Sequence, residues 1–295
     1  MVGTRVAMIG DVHGHFGELR DALVSLGADP LTLRLPDDLT VIQVGDLVHK
    51  GPGSWEVVRM VDQYRREQPD QWVQLVGNHE AHYVNEKLFS WQGEVDEDTE
   101  SILRAWWESG WMRTSAAVTR DVGDEILVTH AGLTHSFWRL VLDAPTSAVD
   151  AAARLEALRD SDMPWLWMPG AMLTGEVDKF AGPVWAEAGA EVYDDWFQAE
   201  RAQGAQAPFH QVHGHSTPYA WRFGKWYAPL ALQPHIRRNM RTHQTAITVA
   251  GKTIIGIDPG HGKSPVPEWS PLVVQGTVHV PEGQDTVVSS WLTAS

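Results

Sequence analysis

The sequence predicts an α/β protein that opens on a parallel sheet covered by helices. Three observations carry that expectation. Short apolar runs alternate with helical spacings through residues 5–77. Each run ends in glycine. The polar residues able to do chemistry follow those glycines, where the carboxyl ends of parallel strands would lie.

Arg5–Gly10 (RVAMIG) reads as a buried strand. Phe16, Leu19, Leu23 and Leu26 then recur at helical spacing and stop at Gly27. Leu39–Val44 is rich in β-branched residues and is followed by Gly45. After Gly51-Pro52-Gly53, Ser54 is the expected N-cap, and Trp55, Val58, Val61 and Tyr64 mark one helical face. Trp72–Val76 is the third strand, ahead of Gly77. The β-α-β-α-β order favours a parallel sheet. Asp96–Trp107 reads as a helix with an acidic first turn, beginning in a solvated run, Glu94–Glu100. Ala116–Thr119 and Glu125–Thr129 read as strands about a turn at 120–124.

Leu133–Ala207 shows no strand pattern and is expected to be a helical, Trp-rich insertion, with Ala148–Leu158 as an ordinary surface helix. Strands resume at Phe209–Val212. Hairpins are expected at Ala220–Tyr227, turning at Gly224-Lys225, and at Thr245–Ile257, turning at Gly251-Lys252. Val273–Val280 is the expected last strand. With no repeat and no linker-like tract, the whole of 1–295 is expected to be one domain carrying the insertion at about 133–207.

Composition narrows the function. The 295 residues carry 23 Lys+Arg against 38 Asp+Glu, a net charge of −15. A polyanion is repelled over most of such a surface, so nucleic acid is not an expected partner. Cysteine is absent, which excludes a disulfide scaffold, thiolate metal sites and thiol catalysis. No run is long and apolar enough to span a membrane, and the opening residues do not resemble a secretory signal, so a cytoplasmic location is expected.

The strand-end clusters are Gly10-Asp11-Val12-His13-Gly14, Gly45-Asp46, Gly77-Asn78-His79-Glu80, His130-Ala131-Gly132 and His213-Gly214-His215-Ser216. Asp, Asn and His together form an oxygen and imidazole donor set, which suits manganese, iron or zinc. A carboxylate such as Asp46 can give one oxygen to each of two ions. Two such ions can hold both a nucleophile and the phosphoryl oxygens of an in-line displacement.

In this order the motifs resemble the calcineurin-like metallophosphoesterase superfamily. Within it they are most similar to the branch of bacterial phosphoprotein phosphatases and symmetrical diadenosine tetraphosphate hydrolases. Gly256-Ile257-Asp258-Pro259-Gly260 is similar to a late strand-end motif of those bacterial members. The resemblance covers about residues 5–262. It implies a four-layer α/β/β/α sandwich and two divalent metal ions, manganese first, with iron or zinc as alternatives. It implies that Asp11 and His13 bind the first metal, that Asp46 bridges, and that Asn78, His130 and His215 bind the second. His79 would be the general acid, and a hydroxide between the metals would attack phosphorus. His213 would lie inside its strand. His15, His82, His135 and His261 are expected to be packing or surface residues.

One motif departs from the pattern. Where the branch reads Gly-Asp-x-x-Asp-Arg-Gly, this chain has Gly45-Asp46-Leu47-Val48-His49-Lys50-Gly51. The Asp that orients the general-acid His is replaced by His49, and the Arg that grips phosphate by Lys50, which keeps charge but not the planar fork. The pair is expected either to take these catalytic roles or to form a solvated loop beside the site. The first reading of function is a serine/threonine-phosphatase-like phosphomonoesterase. The alternative is a dinucleoside polyphosphate hydrolase, whose good leaving group depends less on His79. A third reading is a non-catalytic metal and phosphate binder. The substrate is thus a phosphorylated small molecule, a nucleotide or a phosphoprotein. The 15 Trp residues are expected mostly to pack, with one or two walling the substrate.

Overall fold

In the computed structural model, which describes residues 4–85, 87–88, 93–266 and 268–281, strand β1 (Arg5–Ile9) shows how the layers arise. Val6 and Met8 point into one apolar layer, Ala7 and Ile9 into another. That alternation follows from the two-residue period of a strand. Along the chain come α1 (Phe16–Ser25), β2 (Leu39–Gln43), α2 (Ser54–Glu67), β3 (Trp72–Leu75), α3 (Asn78–Val84), α4 (Glu97–Glu108) and β4 (Met112–Arg113). Strands β1 to β4 are parallel neighbours. Leu19, Leu23, Val58, Val61, Tyr83 and Leu103 bring the four helices onto one face of this sheet.

The second half contains β5 (Ser115–Arg120), β6 (Glu125–Thr129), α5 (His135–Leu140), α6 (Ala148–Ala157), α7 (Ala171–Thr174), α8 (Asp194–Gln203), β7 (His210–His213), β8 (Tyr219–Ala220), β9 (Lys225–Trp226), β10 (Ile236–Asn239), β11 (Gln244–Val249), β12 (Lys252–Gly256) and β13 (Leu272–His279). Strands β6, β7 and β12 are parallel, and β5, β11 and β10 extend that sheet by antiparallel pairing. β13 joins the two sheets. Its Leu272–Gln275 half pairs with β1 and its Gly276–His279 half with β5. Between the sheets lie Val6, Met8, Ile42, Val44, Ala116, Val118, Ile126 and Val128. Helices cover both outer faces, so the architecture is the expected four-layer α/β/β/α sandwich.

Several expectations are refined. Residues 133–207 supply the outer helical layer of the second sheet. In α6, Ala148, Ala151, Ala152 and Leu155 are buried against Ala117 and Leu127, so this is a covering helix rather than a plain surface one. Ser54 is the first residue of α2 and Gly53 its cap; the Ser54 hydroxyl instead accepts the His49 N–H at 3.0 Å. The second hairpin turns at Ala250-Gly251, both at positive φ, one residue earlier than expected. β4 and β10 are short edge strands with no clear sequence signal. The joining role of β13 depends on partners distant in sequence.

All the strand ends that carry the sequence clusters belong to parallel strands, β1 to β3 in one sheet and β6, β7 and β12 in the other. Their carboxyl ends bring the clusters to one edge of the sandwich. No helix among the described residues is long and apolar enough to cross a membrane.

Met8 lies wholly buried between the sheets. Met8→Ala is expected to destabilise the protein by about 2–5 kcal/mol through cavity formation. Urea unfolding followed by Trp fluorescence measures this.

Candidate metal centre

Asp11 and His13 follow β1, Asp46 follows β2, and Asn78 opens α3 after β3. His130 follows β6 and His215 follows β7. All six are buried. The turns that aim them are unusual. His13, Asp46 and His215 sit at φ 48°, 58° and 62°, and His49 and Lys50 at 69° and 61°. Left-handed backbone at non-glycine residues costs of order 1–3 kcal/mol each and persists only where surrounding structure imposes it. Here the imposing contacts are visible. The buried Glu80 carboxylate accepts the N–H groups of Asp46 (2.7 Å), Leu47 (2.8 Å) and Gly77 (3.0 Å). Asp46 Oδ1 accepts the His79 N–H at 3.0 Å. The Asp11 carboxylate accepts the His215 N–H at 3.0 and 3.1 Å, tying the two sheets together. A Cβ at Gly214 would collide with Asp11, so close approach requires glycine there.

The side chains form two groups that share Asp46. Donor atoms of His13, Asp46 and His79 lie within 4.8 Å of one another, as do those of Asp46, His130 and His215. Asp11 Oδ2 adds a carboxylate 3.7 Å from His13 Nε2, and Asp46 Oδ2 lies at the same distance from that nitrogen. On the other side, the Asn78 amide oxygen is 3.0 Å from His130 Nε2 and 2.8 Å from His215 Nδ1.

Proton placement tests whether metal ions fit. His130 Nδ1 donates to the Val44 carbonyl at 2.8 Å, so Nε2 carries a lone pair. That lone pair faces Asp46 Oδ1 at 3.4 Å. Acceptors turned on one another call for a donor between them; the Asn78 amide nitrogen, with the amide turned over, reaches His130 Nε2 at 3.0 Å and Asp46 Oδ2 at 3.1 Å, and a cation held by the Asn78 oxygen fits the same place. Lys50 Nζ, reaching in from an exposed position, donates to His13 Nε2 at 2.6 Å, so that nitrogen also presents a lone pair. Oxygen and imidazole donors oriented by backbone carbonyls are what a divalent cation requires. The electrostatics agree. Burial, with the charges of Asp258 and Asp46, pushes the Asp11 carboxyl well up. Burial and Glu80 push Asp46 up. Burial and Lys50 hold His13 well below the usual imidazole range; burial and His215 do the same to His130. Burial brings His215 to about 3. The imidazoles are therefore neutral and ready to ligate, and the carboxylates are short of positive charge.

His79 belongs to the first of these donor groups, and His49 lies behind it. His79 Nε2 is 3.7 Å from Asp46 Oδ2. Its other nitrogen, Nδ1, is 2.9 Å from His49 Nδ1. His49 Nε2 in turn is 2.5 Å from the Tyr83 hydroxyl. His49 is thus buried beside His79 rather than on a solvated loop. The buried Asp258, after β12, completes the acidic lining. His213 stays in its strand and meets Tyr193 at 2.9 Å. His15, His82, His135 and His261 belong to neither group of donors; His15 meets the Gly262 carbonyl at 2.9 Å and His135 packs on Trp196.

Sequence reading passed over Glu80 and Tyr83. Glu80 stands in a quoted motif, and Tyr83 lies four residues after His79, on the same helical face. Of the Trp residues, Trp196 and Trp185 are both core, and Trp185 also meets the His215 ring edge-on at 6.1 Å. Trp221, with Phe223, Tyr227, His243 and Thr217, lines a cavity of about 600 Å³ that begins two residues beyond His215.

The model of the calcineurin-like phosphoesterase family matches residues 4–239. The chain is 30% identical over 158 residues to a symmetrical bis(5'-nucleosyl)-tetraphosphatase of Baumannia cicadellinicola subsp. Homalodisca coagulata, covering 52% of this chain and 49% of the relative. It is 31% identical over 158 residues to the protein of that name from Klebsiella pneumoniae (strain 342), covering 52% and 50%. The chain therefore spans about half the length of the curated relatives it matches. A cold-active protein-tyrosine phosphatase of a psychrophilic Shewanella species shares the fold, with a TM-score of 0.53, 17% identity, and coverage of 92% of this chain and 75% of that one.

The protein is expected to take up two divalent ions, and Asp46→Asn to lose at least one, as counted by elemental analysis after gel filtration. Uptake should weaken as pH falls, because protons compete for the imidazoles and carboxylates. Glu80→Ala strands three buried N–H groups at about 1–3 kcal/mol each. It should lower both thermal stability and metal affinity, read by calorimetry.

Proposed function

The chain belongs to the calcineurin-like phosphoesterase family, and from that premise we propose that this metal-dependent hydrolase cleaves a phosphoanhydride of a nucleotide, of the dinucleoside polyphosphate kind. One observation carries the choice. Beside His79 Nδ1 stands His49, an imidazole, where a fixed negative charge would be needed to hold an imidazolium. Burial keeps His49 down to about 4, so it is neutral. Among the described residues, the partner at His79 Nδ1 is therefore a neutral ring, which suits hydrogen bonding better than full proton delivery. An ester with a poor leaving group needs that proton; an anhydride, whose leaving group departs as a stable phosphate anion, needs only a hydrogen bond. The aromatic cavity at Trp221 supports the nucleotide part, since its rings offer a stacking wall for a base. The names of the matched relatives point the same way.

In this reading Asp11 and His13 hold one ion, Asn78, His130 and His215 the other, and Asp46 is shared. Manganese suits the oxygen and imidazole set. The ions, when bound, supply a hydroxide nucleophile at neutral pH and offset phosphate charge. Lys50 binds a substrate phosphate oxygen as a point charge. His79 donates a hydrogen bond to the leaving oxygen, and His49 orients it. Trp185, edge-on to His215, keeps water from that side of the second ion's ligands.

With manganese, diadenosine tetraphosphate should be hydrolysed with a kcat/KM at least about tenfold above that of p-nitrophenyl phosphate, a difference of about 1.4 kcal/mol in the barrier, and Asp46→Asn should abolish both activities. Efficient turnover of the monoester with none of the dinucleotide would instead establish a phosphomonoesterase. His49→Asp restores a charge behind His79. It should raise phenyl phosphate hydrolysis relative to p-nitrophenyl phosphate by about tenfold, read from initial rates.

A further inference from the structure

Two imidazoles that meet through Nδ1 and Nδ1 share one proton, and its owner decides what each ring presents on its far side. His49 and His79 meet this way at 2.9 Å. Both rings are buried, at 3% and 2% exposure. Among the described residues, the group that bears on the proton is Tyr83. It lies one turn beyond His79 on α3 and is wholly buried. Its hydroxyl accepts the Val95 N–H at 3.0 Å. A phenol has one proton, and at 2.5 Å from the Tyr83 oxygen stands His49 Nε2. Burial pushes the Tyr83 phenol up to about 12, so the proton stays on it.

We propose that Tyr83 is a positioning residue that acts through His49 to place the proton of His79 on Nε2. The chain of donors runs in one direction. Val95 N–H points to the Tyr83 oxygen, and Tyr83 O–H to His49 Nε2. A neutral His49 must then carry its proton on Nδ1, which donates to His79 Nδ1. His79, also neutral, is left with its proton on Nε2, the nitrogen 3.7 Å from Asp46 Oδ2 and facing the shared carboxylate. A hydrogen-bond donor is thereby aimed at the centre before any substrate arrives. No proton is lost from the relay. His79 donates a hydrogen bond, and the leaving phosphate departs with its electron pair as an anion. Tyr83 and His49 together replace a carboxylate: they set orientation and tautomer without adding charge.

The inference rests on the reading of His79 as the group at the leaving oxygen, and its test does not depend on activity. Zinc-loaded protein, which is diamagnetic, is labelled with 15N-histidine, and the His79 signals are assigned by their loss in His79→Gln. Long-range 1H–15N correlation then reports which ring nitrogen carries the proton. The expected result is His79 protonated on Nε2 and His49 on Nδ1 in the wild type, with His79 in Tyr83→Phe becoming a mixture of tautomers. His79 protonated on Nδ1 in the wild type overturns the inference without need of any variant. An unchanged His79 tautomer in a folded Tyr83→Phe protein overturns it as well. The kinetic counterpart is a fall of about tenfold in kcat for Tyr83→Phe on diadenosine tetraphosphate with KM unchanged, which disappears when His79 is already Gln. The expected tautomers in a protein that does not cleave the dinucleotide would sink the substrate reading and leave the relay standing. Dinucleotide cleavage with the opposite tautomer would do the reverse.

Discussion

The centre depends on a carboxylate that is not among its grouped donors. Glu80 accepts three backbone N–H groups from the loops after β2 and β3. That clamp holds Asp46 in left-handed backbone at φ 58°. Without it the carboxylate shared by both donor groups would relax toward an ordinary turn. Glu80 is fully buried, and burial pushes its carboxyl up while the accepted N–H groups pull against that rise. Its own negative charge then raises the proton affinity of Asp46. The same interaction therefore sets the geometry of the centre and deepens its demand for positive charge.

That demand organises the rest. Asp11, Asp46 and Asp258 are buried together, and Lys50 reaches in among them from the rim. Divalent cations relieve such an accumulation more completely than one ammonium can, because each ligand atom then has a partner at bonding distance. The Asp11 link to the His215 N–H matters for the same reason. It couples β1 of one sheet to the loop after β7 of the other, so the two donor groups are held in a common frame. On the far side of His79 Nδ1 the described residues place the His49 imidazole and, beyond it, the Tyr83 hydroxyl.

Much of this was legible because its signals are local. Strand periodicity placed β1, β2 and β3, and the glycines after them placed Asp11, Asp46 and Asn78 at strand ends. The resemblance of Gly214-His215-Ser216 to the family motif separated His215 from His213, which lies inside its strand. What was not legible depends on pairings distant in sequence. The strand at the end of the described chain reads as an ordinary last strand, and only three-dimensional pairing makes it the seam between the sheets. Residues 133–207 read as an insertion because helices without a partner sheet look like additions; packing of Leu155 and Trp196 makes them a layer. Tyr83 was missed because its role exists only once His49, thirty-four residues earlier, lies against it.

The central proposal is that Asp46 is shared by two cation sites and that His79, although its ring lies within the first group of donors, bonds neither ion. The most direct measurement is a crystal structure of the manganese-loaded protein phased on the anomalous signal of the metal. The account predicts two anomalous peaks about 4 Å apart with the Asp46 carboxylate between them. Asp11 and His13 should reach one peak, and Asn78, His130 and His215 the other. His79 should contact neither. A single peak, or His79 Nε2 bonded to an ion, would contradict it.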